Sequence, residues 1–168
     1  MLKELLDNLV VLVDTREQTN SKILEYFDKH NIKYKSKALK TGDYSFMIKK
    51  CPELGFLVDT YFTDELCVER KNSVSEIAGN MVEKDERFLK ELNRMINIQD
   101  VYILIENDKL GDIIEHNYES KYNELSFLRT LLTTQKQCNF YLYFVEDKHM
   151  GQMIYEICRN SLMSKILK

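Results

Sequence analysis

Apolar positions along the chain fall into short unbroken runs and longer periodic stretches. Leu9 to Val13 carries no polar break and stops at Asp14-Thr15-Arg16-Glu17. Such a run reads as a strand buried on both faces, with the polar groups that follow it standing at the edge of a sheet. Val101 to Ile105 and Phe140 to Val145 repeat the pattern. Elsewhere the spacing is helical: Ile23, Leu24 and Phe27 predict a helix over Asn20 to His30, capped by Thr19 or Asn20. Strands are expected at Tyr34 to Leu39 and Tyr44 to Ile48, separated by Thr41-Gly42. After the turn Cys51 to Gly55, which holds the chain's one proline, Phe56 to Phe62 and Leu66 to Val68 continue the pattern as an antiparallel meander. Ser73 and Glu76 have capping-box spacing and open a short helix toward Gly79. Asp85 to Ile96 predicts another, with Phe88, Leu89, Leu92 and Met95 on one face. A helix resumes after Glu106-Asn107, one over Tyr122 to Gln137 turns Leu125, Leu128, Leu131 and Leu132 inward, and a last runs from Lys148 to Leu162. The order predicts an α/β domain, a mixed central sheet with helices on both faces, spanning 1–168 without repeat or linker.

Composition narrows the class. A chain of 168 residues, 44% apolar with a net charge of −3, is too apolar and too weakly charged for disorder. It buries enough surface to need no disulfide or structural metal. No apolar run is long enough to span a bilayer, and Met1-Leu2-Lys3-Glu4 does not open a secretory signal, so a cytoplasmic location and no membrane partner are expected. Cys51, Cys67, Cys138 and Cys158 lie 16, 71 and 20 residues apart, without the close spacing of a zinc site, and Cys67 and Cys158 read as small buried hydrophobes. His30, His116 and His149 read as surface residues. An acidic total also argues against a polyanionic partner.

Local charge changes that last inference. From Lys33 to Lys50 six lysines stand against the single acid Asp43, whereas Asp100 to Glu119 holds six acids against Lys109. Lys33, Lys35 and Lys37 alternate and would line one face of a strand as a track for phosphates, with Lys40 beyond them; the competing reading is an edge strand protected against aggregation. The charges that fit their surroundings least are at strand ends: Asp14, Arg16 and Glu17 after the first strand, Asp43 after a Gly turn, and Glu69, Arg70 and Lys71 after Leu66 to Val68. Metal-dependent phosphodiester cleavage needs carboxylates converging on a hard cation and a positive group for the developing charge. Asp43, Glu69 and Lys71 supply that inventory, and Glu69 and Lys71, two apart on a strand, point to one face while Arg70 points to the other. The Arg70 carbonyl would then face a metal while its side chain braces a neighbouring element.

Gly42-Asp43 followed by Glu69-Arg70-Lys71, with Asp14-Thr15-Arg16-Glu17 ending the first strand, resembles the signature of XPF-type structure-specific endonucleases, a branch of the PD-(D/E)xK nuclease superfamily. The resemblance covers about residues 9 to 150. It implies a restriction-endonuclease-like fold in the stand-alone form of bacterial and phage relatives, Mg²⁺ or Mn²⁺ as cofactor, and cleavage of branched or flapped DNA in repair or recombination. Asp43 and Glu69 would bind metal, with Asp14 nearby, Lys71 would act in catalysis, and Arg16, Glu17 and Arg70 would shape the site or contact phosphate. The signature's last acid falls at Ser75 here, so Glu76 is a candidate substitute, although its capping role explains it equally well. Asp85 to Phe88 resembles a charged helix start in such relatives, making Arg87 a candidate DNA contact beside a solvated helix face. With the chain ending at Lys168, no tandem helix-hairpin-helix module is expected. DNA would be held by the nuclease surface alone or with a partner protein or a second copy. Phe140, Tyr141, Tyr143, Met150, Met153 and Tyr155 are read either as that interface or as core. Two other readings stand beside the nuclease: a catalytically silent DNA- or partner-binding module, and a small-molecule α/β enzyme, which the lack of any glycine-rich phosphate loop disfavours.

Overall fold

The computed structural model describes residues 2–82 and 86–166; within these, the side chains at 2, 82, 86, 87 and 89 lie outside what is described. The chain runs α1 (Leu2–Asp7), β1 (Leu9–Val13), α2 (Ser21–Lys29), β2 (Tyr34–Ser36), β3 (Tyr44–Ile48), a 3-10 turn at Pro52–Leu54, β4 (Thr60–Tyr61) and β5 (Leu66–Lys71). It continues α3 (Val74–Val82), α4 (Glu86–Met95), β6 (Asp100–Glu106), α5 (Leu110–Ile114), α6 (Glu124–Cys138), β7 (Phe140–Val145) and α7 (Asp147–Ile166). The sheet order is β2-β1-β3-β5-β6-β7, with β4 on β3. Parallel pairs join β1 to β2, β5 to β6 and β6 to β7, and antiparallel pairs join β3 to β1, β4 and β5. The mixed α/β class is therefore as the pattern predicts.

β1 is buried at every position, as an unbroken apolar run requires. Its Leu9, Val11 and Val13 meet α2 and α7 through Ile23, Phe27, Met150, Ile154 and Leu162 in one core. On the opposite face Cys67, Val101, Ile103 and Ile105 pack beneath Val74, Ile77, Phe88, Leu92, Met95, Phe127 and Leu131 of α3, α4 and α6. Over β1 and β3 that second face is covered differently: Val10, Leu12 and Met47 bury against Leu39 of the segment after β2. Cys67 and Cys158 are wholly buried, and all four cysteines are unpaired. His30, His116 and His149 are exposed. No helix among the described residues is long and apolar enough to cross a membrane.

Four expectations need correction. The strand after α2 does not join the meander; β2 returns parallel to β1, because α2 carries the chain back to the same end of the sheet before β2 begins. It ends at Ser36 rather than Leu39, since the Leu39 amide is taken by the Asp14 carboxylate. The expected strand from Phe56 shrinks to Thr60–Tyr61, as Gly55 enters the left-handed region and Asp59 turns to accept from the Lys50 amide. In α6 the inward side is Phe127, Leu131 and Cys138, while Leu125 and Leu132 are more than half exposed. Asn123 accepts from the Ser126 amide, and the Phe127 ring lies between Tyr118 and Tyr122, at 5.4 and 5.7 Å; the aromatic residue decides which face turns inward. The helix α1 at the start was not expected. In the final segment Phe140 and Met150 are core, Met153 and Tyr155 partly buried, and Tyr141 and Tyr143 exposed.

Helices α2 and α7 cross so closely that a Cβ at Gly151 would stand 2.8 Å from Tyr26 Cβ and 2.9 Å from its ring. Because the contact includes the root of the tyrosine, no rotamer change relieves it. Gly151→Ala is expected to cost about 1–3 kcal/mol, seen as a lower urea midpoint at unchanged slope. An unchanged midpoint would show that the crossing can yield.

Candidate active site

The ends of β1 and β5 meet the start of β3, and hydrogen bonds fix how they meet. Gly42 has φ +75, and a Cβ there would come within 2.5 Å of Cys67 Sγ, so the turn into β3 needs glycine on both counts. The Asp43 amide then donates to the Val68 carbonyl at 2.9 Å, its carbonyl accepts from the Asp14 amide at 2.7 Å, and its Oδ2 accepts from the Arg70 amide at 2.8 Å. Asp43 thus reaches across to β5. There Glu69 and Lys71 share the second face, with Lys71 Nζ 2.6 Å from Glu69 Oε1, both side chains 7% exposed.

Burial raises both carboxyls. Asp43 is pushed up to about 7, chiefly by desolvation and further by the charges of Glu17 and Glu91, against the lowering effect of the Arg70 amide and Lys71. Glu69 moves well above the ordinary carboxylate range, again by burial first and then by Asp43. Burial alone would lower Lys71, but the charge and hydrogen bond of Glu69, with Glu91 and Glu76, outweigh it and hold the ammonium above its usual value.

Other residues of the set take different places. Asp14 is buried with both oxygens engaged, Oδ1 by the Leu39 amide at 3.1 Å and Oδ2 by Arg16 Nε at 2.6 Å, while Arg16 also donates to the Leu39 carbonyl at 3.0 Å. Together they pin the segment that roofs β1. Arg70 turns to the first face, where its guanidinium binds Glu17 at 3.0 Å and Glu106 at 2.6 Å. Glu76 works as a cap: its amide donates to Ser73 Oγ at 3.1 Å, and its Oε2 accepts from the Asn72 amide at 2.8 Å. Its other oxygen lies 3.7 Å from Lys71. Ser75, at the signature's acid position, accepts from the Glu119 amide instead.

The lysines do not form a single continuous track. Lys33 and Lys35 line a pocket of about 400 Å³ on the second face, with Val10, Met47, Lys49 and Asp59. Lys37 lies over the Tyr61 ring at 4.7 Å. Lys40 belongs to a separate 610 Å³ pocket with Thr41, Asp64, Arg94 and Asn97. The side chain of Arg87 lies outside the described residues.

Sequence reasoning missed Glu91. From α4 it comes within 3.9 Å of Lys71 Nζ. The available signal was its place three residues after Phe88 and beside Leu92, a charge on the stripe that faces the core.

Whether these residues suit a divalent cation can be judged from the donors. Among the described residues no group of three or more His, Cys, Asp and Glu side chains is placed so that it could hold a metal ion. Glu69 Oε2 is nonetheless buried with no hydrogen-bond partner, and it stands beside a second desolvated carboxyl. An oxygen left so is costly unless a positive partner fills the space, and two carboxylates completed by water are what Mg²⁺ usually accepts. The donor set fits.

The pattern of the ERCC4 domain matches residues 13–157. Among solved structures, XPF from Aeropyrum pernix is 21% identical with a TM-score of 0.65, covering 94% of this chain and 68% of that one. XPF from Aeropyrum pernix in complex with DNA is 22% identical with a TM-score of 0.64, covering 92% of this chain and 66% of that one. At these identities the likeness is one of fold. No curated protein matches the chain. The family match takes in the Asp14 strand end, the Gly42 turn and the β5 charges alike, and by it the chain belongs to the ERCC4 domain family.

Proposed function

We propose that the chain is a divalent-metal-dependent endodeoxyribonuclease that hydrolyses phosphodiester bonds in branched or flapped DNA. The observation that carries this reading is the pairing of partly buried Asp43 with buried Glu69, one oxygen of Glu69 being unpartnered and the other bonded to Lys71. Family membership and the DNA complex of the Aeropyrum XPF support it. Asp43 and Glu69 would hold the cation, with the Arg70 carbonyl as a further donor. A bound Mg²⁺ or Mn²⁺ would supply activation of water and neutralisation of the scissile phosphate. Lys71 places a fixed positive charge where the phosphorane develops. Arg70 and Glu17 hold β5 against the β1 end, and Asp14 with Arg16 holds the roof that shapes the approach. Lys33 and Lys35 receive backbone phosphates on the same face.

Branched, flapped and linear DNA incubated with Mn²⁺ tests the reading. Wild type is expected to cut structured DNA, whereas Glu69→Gln and Lys71→Met fall by about 10²–10³-fold or more with their fold intact by circular dichroism. No cleavage by the wild type, or equal cleavage by all three, would remove the proposal. Failure of wild type to take up Mn²⁺ in calorimetry would favour the silent binding module, the reading to which Ser75 at the acid position lends weight.

A further inference from the structure

Lys71 is surrounded by more acid than its proposed task uses. Beyond Glu69 at 2.6 Å, Glu76 Oε1 lies 3.7 Å and Glu91 Oε2 3.9 Å from its ammonium. The Phe88 ring stands on another side at 5.8 Å. Glu76 is half committed, because its second oxygen caps α3. Glu91 has no such duty in what is described. It rises from α4 beside Phe88, Leu92 and Met95, whose burial fixes that helix against the second face. Glu91 keeps 29% of its side chain exposed, and the ammonium its carboxylate approaches, at 3.9 Å, is that of Lys71.

The nuclease reading makes a demand on this cluster. A carboxylate that turns its charge to a divalent cation gives up part of its bond to a neighbouring ammonium. A buried ammonium without its anion swings toward water, which takes the positive charge away from the reacting phosphate. We propose that Glu91, seconded by Glu76, is the positioning residue that takes over Lys71 when Glu69 binds the cation. The inference rests on the nuclease reading of the site. Glu91 hands nothing to substrate. It holds the ammonium in place from α4, a helix separate from the strands that carry Asp43 and Glu69.

The test compares wild type, Glu91→Gln, Glu91→Asp and the double variant Glu76→Gln/Glu91→Gln. Mg²⁺ binding is measured by calorimetry, cleavage of a flapped duplex by steady-state kinetics, and exposure of Lys71 by its rate of acetylation in mass spectrometry with and without Mg²⁺. In wild type Lys71 is expected to acetylate slowly under both conditions. In Glu91→Gln, Mg²⁺ should speed that modification about fivefold or more, and kcat should fall about tenfold while KM for DNA and Mg²⁺ affinity stay within about twofold. The double variant should lose more, and Glu91→Asp should recover most of the loss. Unchanged acetylation and kcat in Glu91→Gln would overturn the inference while wild-type cleavage left the nuclease reading standing. Lost Mg²⁺ affinity in Glu91→Gln would also overturn it, by assigning Glu91 to the cation. A wild type that binds no Mg²⁺ would overturn both.

Discussion

Asp43→Asn is expected to yield a protein that cuts no DNA yet melts higher than wild type at pH 8 without metal. Burial is the main reason the Asp43 carboxyl is raised from 3.8 to about 7. A carboxyl that holds its proton more tightly folded than unfolded favours the native state below the unfolded value. That advantage is lost as pH rises through the folded value. Metal-free wild type should therefore lose stability between about pH 4 and pH 7, by at most about 4 kcal/mol from this group. An amide still accepts from the Arg70 N–H and carries no charge to desolvate. Recovery of about 1–3 kcal/mol corresponds to roughly 3–10 °C for a chain of this size. Mn²⁺ should reverse the ranking, raising the melting temperature of wild type and leaving Asp43→Asn where it was. Scanning calorimetry at pH 5.5 and pH 8, with and without Mn²⁺, reads all of this. A variant melting at or below metal-free wild type at pH 8 would show that Asp43 carries no burial penalty. The same proton competes with the cation, so Mn²⁺ affinity should weaken below about pH 7.

The largest loss of stability is expected from Arg70→Ala. The guanidinium is 5% exposed and binds Glu17 and Glu106, themselves 13% and 18% exposed. Its removal leaves two largely buried carboxylates facing each other without a cation, a change that costs about 3–5 kcal/mol. The Arg70 amide remains, so the bond to Asp43 survives, and Mn²⁺ affinity at temperatures where the variant is folded should be close to wild type. Urea denaturation of Arg70→Ala beside Arg70→Ala/Glu17→Gln/Glu106→Gln separates the causes. If uncompensated charge is the source of the loss, the triple variant regains most of it; if it regains none, lost packing of the arginine stem is responsible instead.

What the sequence made legible was short-range. Unbroken apolar runs mark β1 and β6 because burial on both faces leaves little room for polar residues, whereas the run at β7 builds an edge strand whose Tyr141 and Tyr143 stay exposed, and β3 spans the predicted Tyr44 to Ile48. The alternation of β5 predicts that Glu69 and Lys71 share a face and that Arg70 braces the other side, and they are so placed. What Arg70 braces could not be read, since Glu17 and Glu106 lie 53 and 36 residues away and only the fold brings them together. The pairing of β2 with β1 failed for the same reason: strand order depends on where a connecting helix packs. In α6 two apolar stripes compete, and periodicity alone does not say that Phe127 outweighs Leu125 and Leu132. Glu91 stayed hidden because a charge in an amphipathic helix reads as solvated until its face is known.

The alternation in β5 has a consequence for how this domain can change over time. Chemistry and architecture sit on the same strand yet on opposite sides of it, so each can be lost separately. A descendant that replaces Glu69 and Lys71 together by a neutral pair keeps the Arg70 brace to Glu17 and Glu106, and with it the junction of β1, β5 and β6. Such a copy remains available as a scaffold. On the proposed nuclease reading, two substitutions lead to a pseudoenzyme, whereas loss of the brace ends both careers at once.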